Sequence, residues 1–196
     1  MVIIRRPTEA NIRRFLQKQV GVALSYPQVH FTNKNETVPG FNNDHNRVLL
    51  GTGQAVYEAA CEAIRTWQMF PGGWAWIEPG GTPIQTGQTL VMVARVFGLH
   101  WLNACRIVYT LDGTGPARRF GFAYGTLPDH VECGEERFSV EWLEDDTVWY
   151  DLKAFSHPRL WLVWLAFPLA RLLQRRFVRA SQERMKLVCA VGKTGK

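Results

Sequence analysis

The apolar positions change period along the chain, and each change marks an element. Ile12, Phe15 and Leu16 fall on one side of a helical wheel, with Arg13, Arg14 and Lys18 off it. This predicts a short helix from a Thr8 cap through about Gln19. The stretch from Gly21 to Asn46 is rich in Asn, Thr, Pro and Gly and reads as an ordered but irregular connection. After a short strand, "RVLLG", the residues Val56, Ala60, Ala63, Trp67 and Phe70 recur at intervals of four, three, four and three. That is the spacing of a helix stripe turned to a core, and "PGG" ends it. From Trp74 to Ser156 the period falls to two in six segments: "WAWIEP", "TLVMVARVFG", "ACRIVYTLD", "RRFGFAYGTL", "VECGEERFSVEWL" and "TVWYDLKAFS". Six strands with no helix between them describe an antiparallel meander. A helix is then expected from Pro158 to about Val188, kinked at Pro168.

This order specifies an α+β helix-grip fold. A curved antiparallel sheet of about seven strands wraps round a long C-terminal helix, with a second helix after the first strand and a short helical segment at the N-terminus. The expected divisions are 1–46 for the N-terminal helix and connection, 47–190 for the grip domain and 191–196 for a flexible tail. A curved sheet and a straight helix do not fill the space between them, so a cavity is expected there.

Composition alters this picture little. With 46% hydrophobic and 12% aromatic residues, the 196-residue chain reads as one packed globule. The net charge of +6 gathers at the two ends, so the excess is not spread over a recognition surface. Nucleic-acid binding is disfavoured further because the aromatics sit at core parity rather than among exposed basic residues. Cys61, Cys105, Cys133 and Cys189 show no metal-ligand spacing and read as reduced, buried thiols. "LGTGQAVYEA" lacks the lysine of a phosphate loop and the third glycine of a dinucleotide fingerprint, and no Ser, His, Asp nucleophile arrangement is readable. Neither cofactor nor metal is expected. The N-terminus lacks the apolar core of a signal peptide, and "LWLVWLAFPLA" falls short of the ~20 apolar residues of a spanning helix, so the expected location is cytoplasmic.

The candidate chemistry lies in "GFAYGTLPDHVECGEERFSVEW". Side chains alternate between the faces of a strand, so Phe120, Phe122 and Tyr124 share one face, and Glu136, Phe138, Val140 and Trp142 share one face of the next strand. Glu135 goes with Arg137, Ser139 and Glu141 and reads as an ordinary solvated acid. Glu136 is the anomaly, an acid at an inward position. A three-residue loop, Pro128 to His130, sets Phe122 opposite Glu136 and Tyr124 opposite Gly134. Three readings stay open for Glu136. It pairs with Arg106, Arg95 or a tyrosine hydroxyl and ties the sheet together, it is the polar anchor or acid/base of the cavity, or a bulge at Gly134 turns it outward.

The segments "LGTG", "CRIVY", "GFAYGTLPDHVECGEERF", "VWYDLKAFSHP" and "PLARLLQRRF" resemble the DUF1990 (UPF0548) family, related to the Bet v 1-like and START-like helix-grip proteins. The resemblance covers nearly the whole chain, including "RRPTEANIRRFL", and implies a hydrophobic-ligand cavity. It brings no activity with it. One departure is His157, where the family usually has arginine.

The leading functional expectation is the binding of a small hydrophobic or amphipathic molecule by Phe122, Tyr124, Phe138, Trp142, Tyr150, Trp164 and Arg106. The second is an enzyme of cyclase, isomerase or hydrolase type, with Glu136 as general acid or base and His130 and Tyr124 assisting. The third is a structural or membrane-surface module, with Arg171, Arg175 and Arg179 of the last helix making weak contact with anionic lipid.

Overall fold

The computed structural model describes residues 1–34, 36–113, 118–159 and 167–191. Its elements are β1 (Val2–Ile3), α1 (Glu9–Gln17), β2 (Asn42–Thr52), α2 (Gln54–Arg65), β3 (Ala75–Glu78), β4 (Thr89–Val96), β5 (Leu99–Gly113), β6 (Arg118–Thr126), β7 (Glu132–Trp142), β8 (Thr147–Pro158) and α3 (Phe167–Val191). The antiparallel sheet runs β2-β8-β7-β6-β5-β4-β3, and β1 lies on the first part of β5. This is the expected helix-grip, with the meander from β3 to β8 and β2 returning to pair with β8.

Local chemistry sets the helices. Thr8 and Asn11 form a reciprocal cap, the Thr8 hydroxyl accepting from the Asn11 N–H and the Asn11 side chain accepting from the Thr8 N–H at 3.0 Å. In α2 the stripe of Val56, Ala60 and Ala63 is buried as its spacing predicts. The helix stops at Arg65, however, and Trp67 reaches the core through a turn at φ 59°, where its ring N–H donates to the Thr82 carbonyl at 2.7 Å.

Trp67 and Phe70 pack on the inner face of the sheet. Trp67 meets Phe122 at a ring separation of 4.9 Å, and Phe70 meets Phe138 at 5.7 Å. Tyr150 is fully buried beside them, its hydroxyl 2.8 Å from that of Ser181 on α3, and Met185 and Cys189 complete the same cluster. The opposite face of the sheet is covered as well. Ile12 and Phe15 of α1 pack on Val91, Val93, Leu102 and Leu127, while Tyr26 and Val38 of the connection pack on Cys133 and Phe155.

Three expectations are corrected. The strand pairing with β8 begins at Asn42, upstream of "RVLLG". β8 continues through Pro158, so no helix starts there, and the expected helix over residues 160–166 lies outside the described residues. Tyr124, not Phe122, stands opposite Glu136, because β6–β7 pairing ends at Gly125 with Glu135, so the turn between paired residues runs from Thr126 to Gly134 and is centred one residue later than the expected loop.

Candidate functional site

The inner face of the sheet is filled at one end and empty at the other. Where α2 ends, Trp67, Phe70 and Met185 fill it; beyond Phe70 and Phe177 a cavity of about 850 Å³ separates the sheet from α3. Its apolar wall comes from Trp74, Met92, Ala94, Trp101, Leu152 and Ala154, with Leu169, Leu173 and Phe177 from the first half of α3. Such a volume lies in the range of pockets that enclose small organic ligands.

The polar groups of the cavity cluster on β7 and its neighbours. Glu136 is half-buried and opens onto the cavity, and the Tyr124 hydroxyl donates to its Oε2 at 2.7 Å. Burial pushes the Glu136 carboxyl up to about 7. The Tyr124 bond draws it part of the way back, and the nearby Glu132 and Asp44 carboxylates add to the rise. Glu132 is also raised by burial; its Oε1 accepts from the Gln174 side-chain amide of α3 at 2.6 Å. Arg171 grips Asp44 of β2 with two bonds of 2.6 and 2.7 Å, a bidentate clamp between α3 and the sheet. His130 is buried, and the burial lowers its pKa to about 4. Its Nδ1 stands 2.9 Å from the Glu132 backbone nitrogen and 3.1 Å from the Glu132 carbonyl oxygen, so the ring is tied to the backbone of Glu132 and locks the hairpin.

Glu135 is only 2% exposed, contrary to its expected place in water. It does lie on the outer face, but the N-terminal connection covers that face. The Tyr26 hydroxyl and the His30 N–H donate to its Oε2 at 2.9 and 2.8 Å, and the Thr32 N–H donates to Oε1 at 3.0 Å, where the Thr32 hydroxyl binds too. Gly125, directly opposite in β6, makes room for this: a Cβ there would stand 2.1 Å from the Tyr26 hydroxyl oxygen. Arg137, two residues on, donates to the Thr32 carbonyl at 2.9 Å and pairs with Asp151 at 2.5 Å. Strand parity could not find this clasp. Its one sequence signal is the outer-face glycine Gly125, which marks a close approach by another segment.

The other predicted residues separate. Tyr124, Glu136 and His130 line the cavity. Phe122, Phe138 and Tyr150 lie in the filled end of the core. Trp142 meets Tyr57 at a ring separation of 5.6 Å and donates to Asp146. Arg106 is on the outer face, where it binds the carbonyls of Gln19 and Val22 at 2.9 and 2.7 Å and so holds the connection down. It cannot neutralise Glu136, whose partner is a tyrosine hydroxyl. Trp164 lies outside the described residues. Sequence reasoning missed Glu132, Gln174 and Asp44, which have no apolar periodicity of their own. Among the described residues, no group of three or more His, Cys, Asp or Glu is placed to hold a metal ion, and no helix is long and apolar enough to cross a membrane.

A curved antiparallel sheet closed over a C-terminal helix, with a cavity between them, defines a helix-grip protein of the Bet v 1-like and START-like type. A crystal structure of a hypothetical protein from Helicobacter pylori matches this architecture with a TM-score of 0.51 and 13% identity, over 84% of this chain and 95% of that one. The family described as "Domain of unknown function (DUF1990)" matches residues 25–184, and the chain belongs to that family. UPF0548 proteins from Dictyostelium discoideum and Deinococcus radiodurans are 32% and 35% identical to it. Each alignment covers 91% of this chain, and 91% and 94% of those proteins respectively.

Proposed function

We propose that this protein binds a small hydrophobic or amphipathic molecule in the cavity between the sheet and α3. The observation that carries this reading is the cavity of about 850 Å³, walled by apolar side chains and furnished with a few convergent polar groups on β7. A core under no demand to hold a guest would close such a space, because empty volume forfeits packing energy. Native mass spectrometry of the purified protein, together with titration by the neutral dye Nile red, tests it. Ala154 lines the cavity opposite Glu136, so Ala154→Trp fills the space. The variant is expected to stay folded and to lose dye binding and any co-purified mass. Undiminished dye binding in this folded variant would place the guest elsewhere.

One observation favours an acid–base enzyme built on the same cavity: a carboxyl raised to about 7 and bonded to Tyr124 is suited to proton transfer near neutrality. In that reading Glu136 moves the proton, Tyr124 orients it, and the neutral His130 assists from the cavity wall. Glu136→Gln would then accumulate an unconverted molecule that differs from the one held by wild type in mass or, for an isomerisation, in chromatographic retention and fragmentation. Bound molecules identical by both measures would refute the enzymatic reading.

A further inference from the structure

We propose that the cavity selects a hydrophobic amine, its ammonium group seated between Glu132 and Glu136 across Gly134. This rests on the ligand-binding reading above and names the class of ligand. Glu132, Gly134 and Glu136 occupy alternate positions of β7 and all line the cavity, so two carboxylates flank a residue with no side chain. Glu136 is held through one oxygen: its Oε2 takes the Tyr124 hydroxyl, while among the described residues no donor meets its Oε1, which is not a sealed atom and so faces space that a ligand can enter. Glu132 accepts from the Gln174 amide at Oε1 and also from the Ser156 hydroxyl, and it lines the same space.

The cations of the wall make no direct bond to these acids among the described residues. Arg171 spends both terminal nitrogens on Asp44 and reaches Glu132 only through its field, and Arg175 and Arg179 line the cavity as exposed residues. Among the described residues, neither Glu132 nor Glu136 has a basic side chain within 4.0 Å. A carboxylate beside an apolar wall is costly without a counter-charge. An ammonium supplies that charge together with N–H donors for the free oxygen of Glu136, and an alkyl or aryl body fills the space beyond. An alcohol of the same shape offers one hydroxyl and no charge. A carboxylate of the same shape is repelled by β7 and is drawn only to the arginines at the exposed side.

The test is displacement of Nile red at neutral pH by decylamine, decanol and decanoate, with wild type, Glu136→Gln and Glu132→Gln/Glu136→Gln, each checked for folding by circular dichroism. Wild type is expected to bind the amine about tenfold or more tighter than the alcohol, the gain of a charge-assisted contact. The amine-to-alcohol ratio should fall toward one in the double variant; using the ratio cancels any general loss of cavity shape. Equal affinities, a preference for decanoate, or an amine preference that survives the double substitution would each overturn the proposal while leaving ligand binding intact. Failure of all three compounds and of the dye to bind wild type would overturn the ligand-binding reading itself.

Discussion

Neutralising Glu135 tests the outer-face clasp most directly. Its carboxylate accepts from two backbone N–H groups and two hydroxyls, shared between its two oxygens, with 2% of the residue exposed. In Glu135→Gln one oxygen becomes an NH₂. Whichever way the amide turns, that NH₂ faces either the His30 or the Thr32 backbone N–H, donor against donor. The neighbouring hydroxyl can rotate to accept, but the backbone group cannot. One buried N–H is left unsatisfied, at about 1 to 3 kcal/mol, and the remaining bonds lose their charge assistance at about 1 kcal/mol or more between them. The expected total is about 2 to 4 kcal/mol, read as a lowered urea midpoint at unchanged slope. Hydrogen exchange should accelerate at the amides of His30 and Thr32 well before the central strands respond. A change below about 0.5 kcal/mol would refute the reasoning, since that is the size expected of an ordinary exposed side chain.

Gly134→Ala should destabilise the protein by more than about 3 kcal/mol in the same assay, because a Cβ there would stand 1.9 Å from the Phe155 carbonyl oxygen, a backbone atom that cannot swing aside; a soluble variant of wild-type midpoint would contradict the β7–β8 geometry. Glu136 titrates at about 7 in the fold against an ordinary 4.5, so the folded protein holds a proton that the unfolded chain has released. Its stabilising contribution is full below 4.5 and is lost as pH rises to about 7. His130 acts with the opposite sign, losing stability as pH falls from 6.5 to about 4, so the informative quantity is the melting-temperature difference between wild type and Glu136→Gln. That difference should decline with rising pH, and a flat profile would refute the burial of Glu136. Arg175 and Arg179 are exposed whereas Arg171 is tied to Asp44, so weak binding to anionic vesicles should depend on the first two and fade with salt. Equal binding to neutral vesicles would count against it.

The period of the apolar positions made the strands and the faces of β6 and β7 legible, and Glu136 and Tyr124 lie on the inward face that parity assigned them. The pairing was two residues out because loop length cannot be read from alternation; an even slip leaves every face unchanged, which is why the assignment of faces survived it. Glu135 shows the other limit. Parity says which side of a sheet a residue occupies, but not whether that side meets water, and here Tyr26, His30 and Thr32 come from a connection with no periodicity to place it. The same limit explains Phe122, Phe138 and Tyr150. They share the inner face with the cavity wall, but α2 covers their end of it, and only the three-dimensional position of Trp67 and Phe70 separates the filled end from the empty one.

That division of the inner face has an evolutionary consequence. Trp67, Phe122, Phe138 and Met185 hold the fold together at one end, while Met92, Ala94, Ala154 and Leu173 surround the open space at the other. Substitutions among the first set are exposed to purifying selection through stability. Substitutions among the second remove few packed neighbours and reshape the interior directly. Lineages carrying this architecture can therefore change the shape and polarity of the open space by single residue changes at that end while keeping the same scaffold.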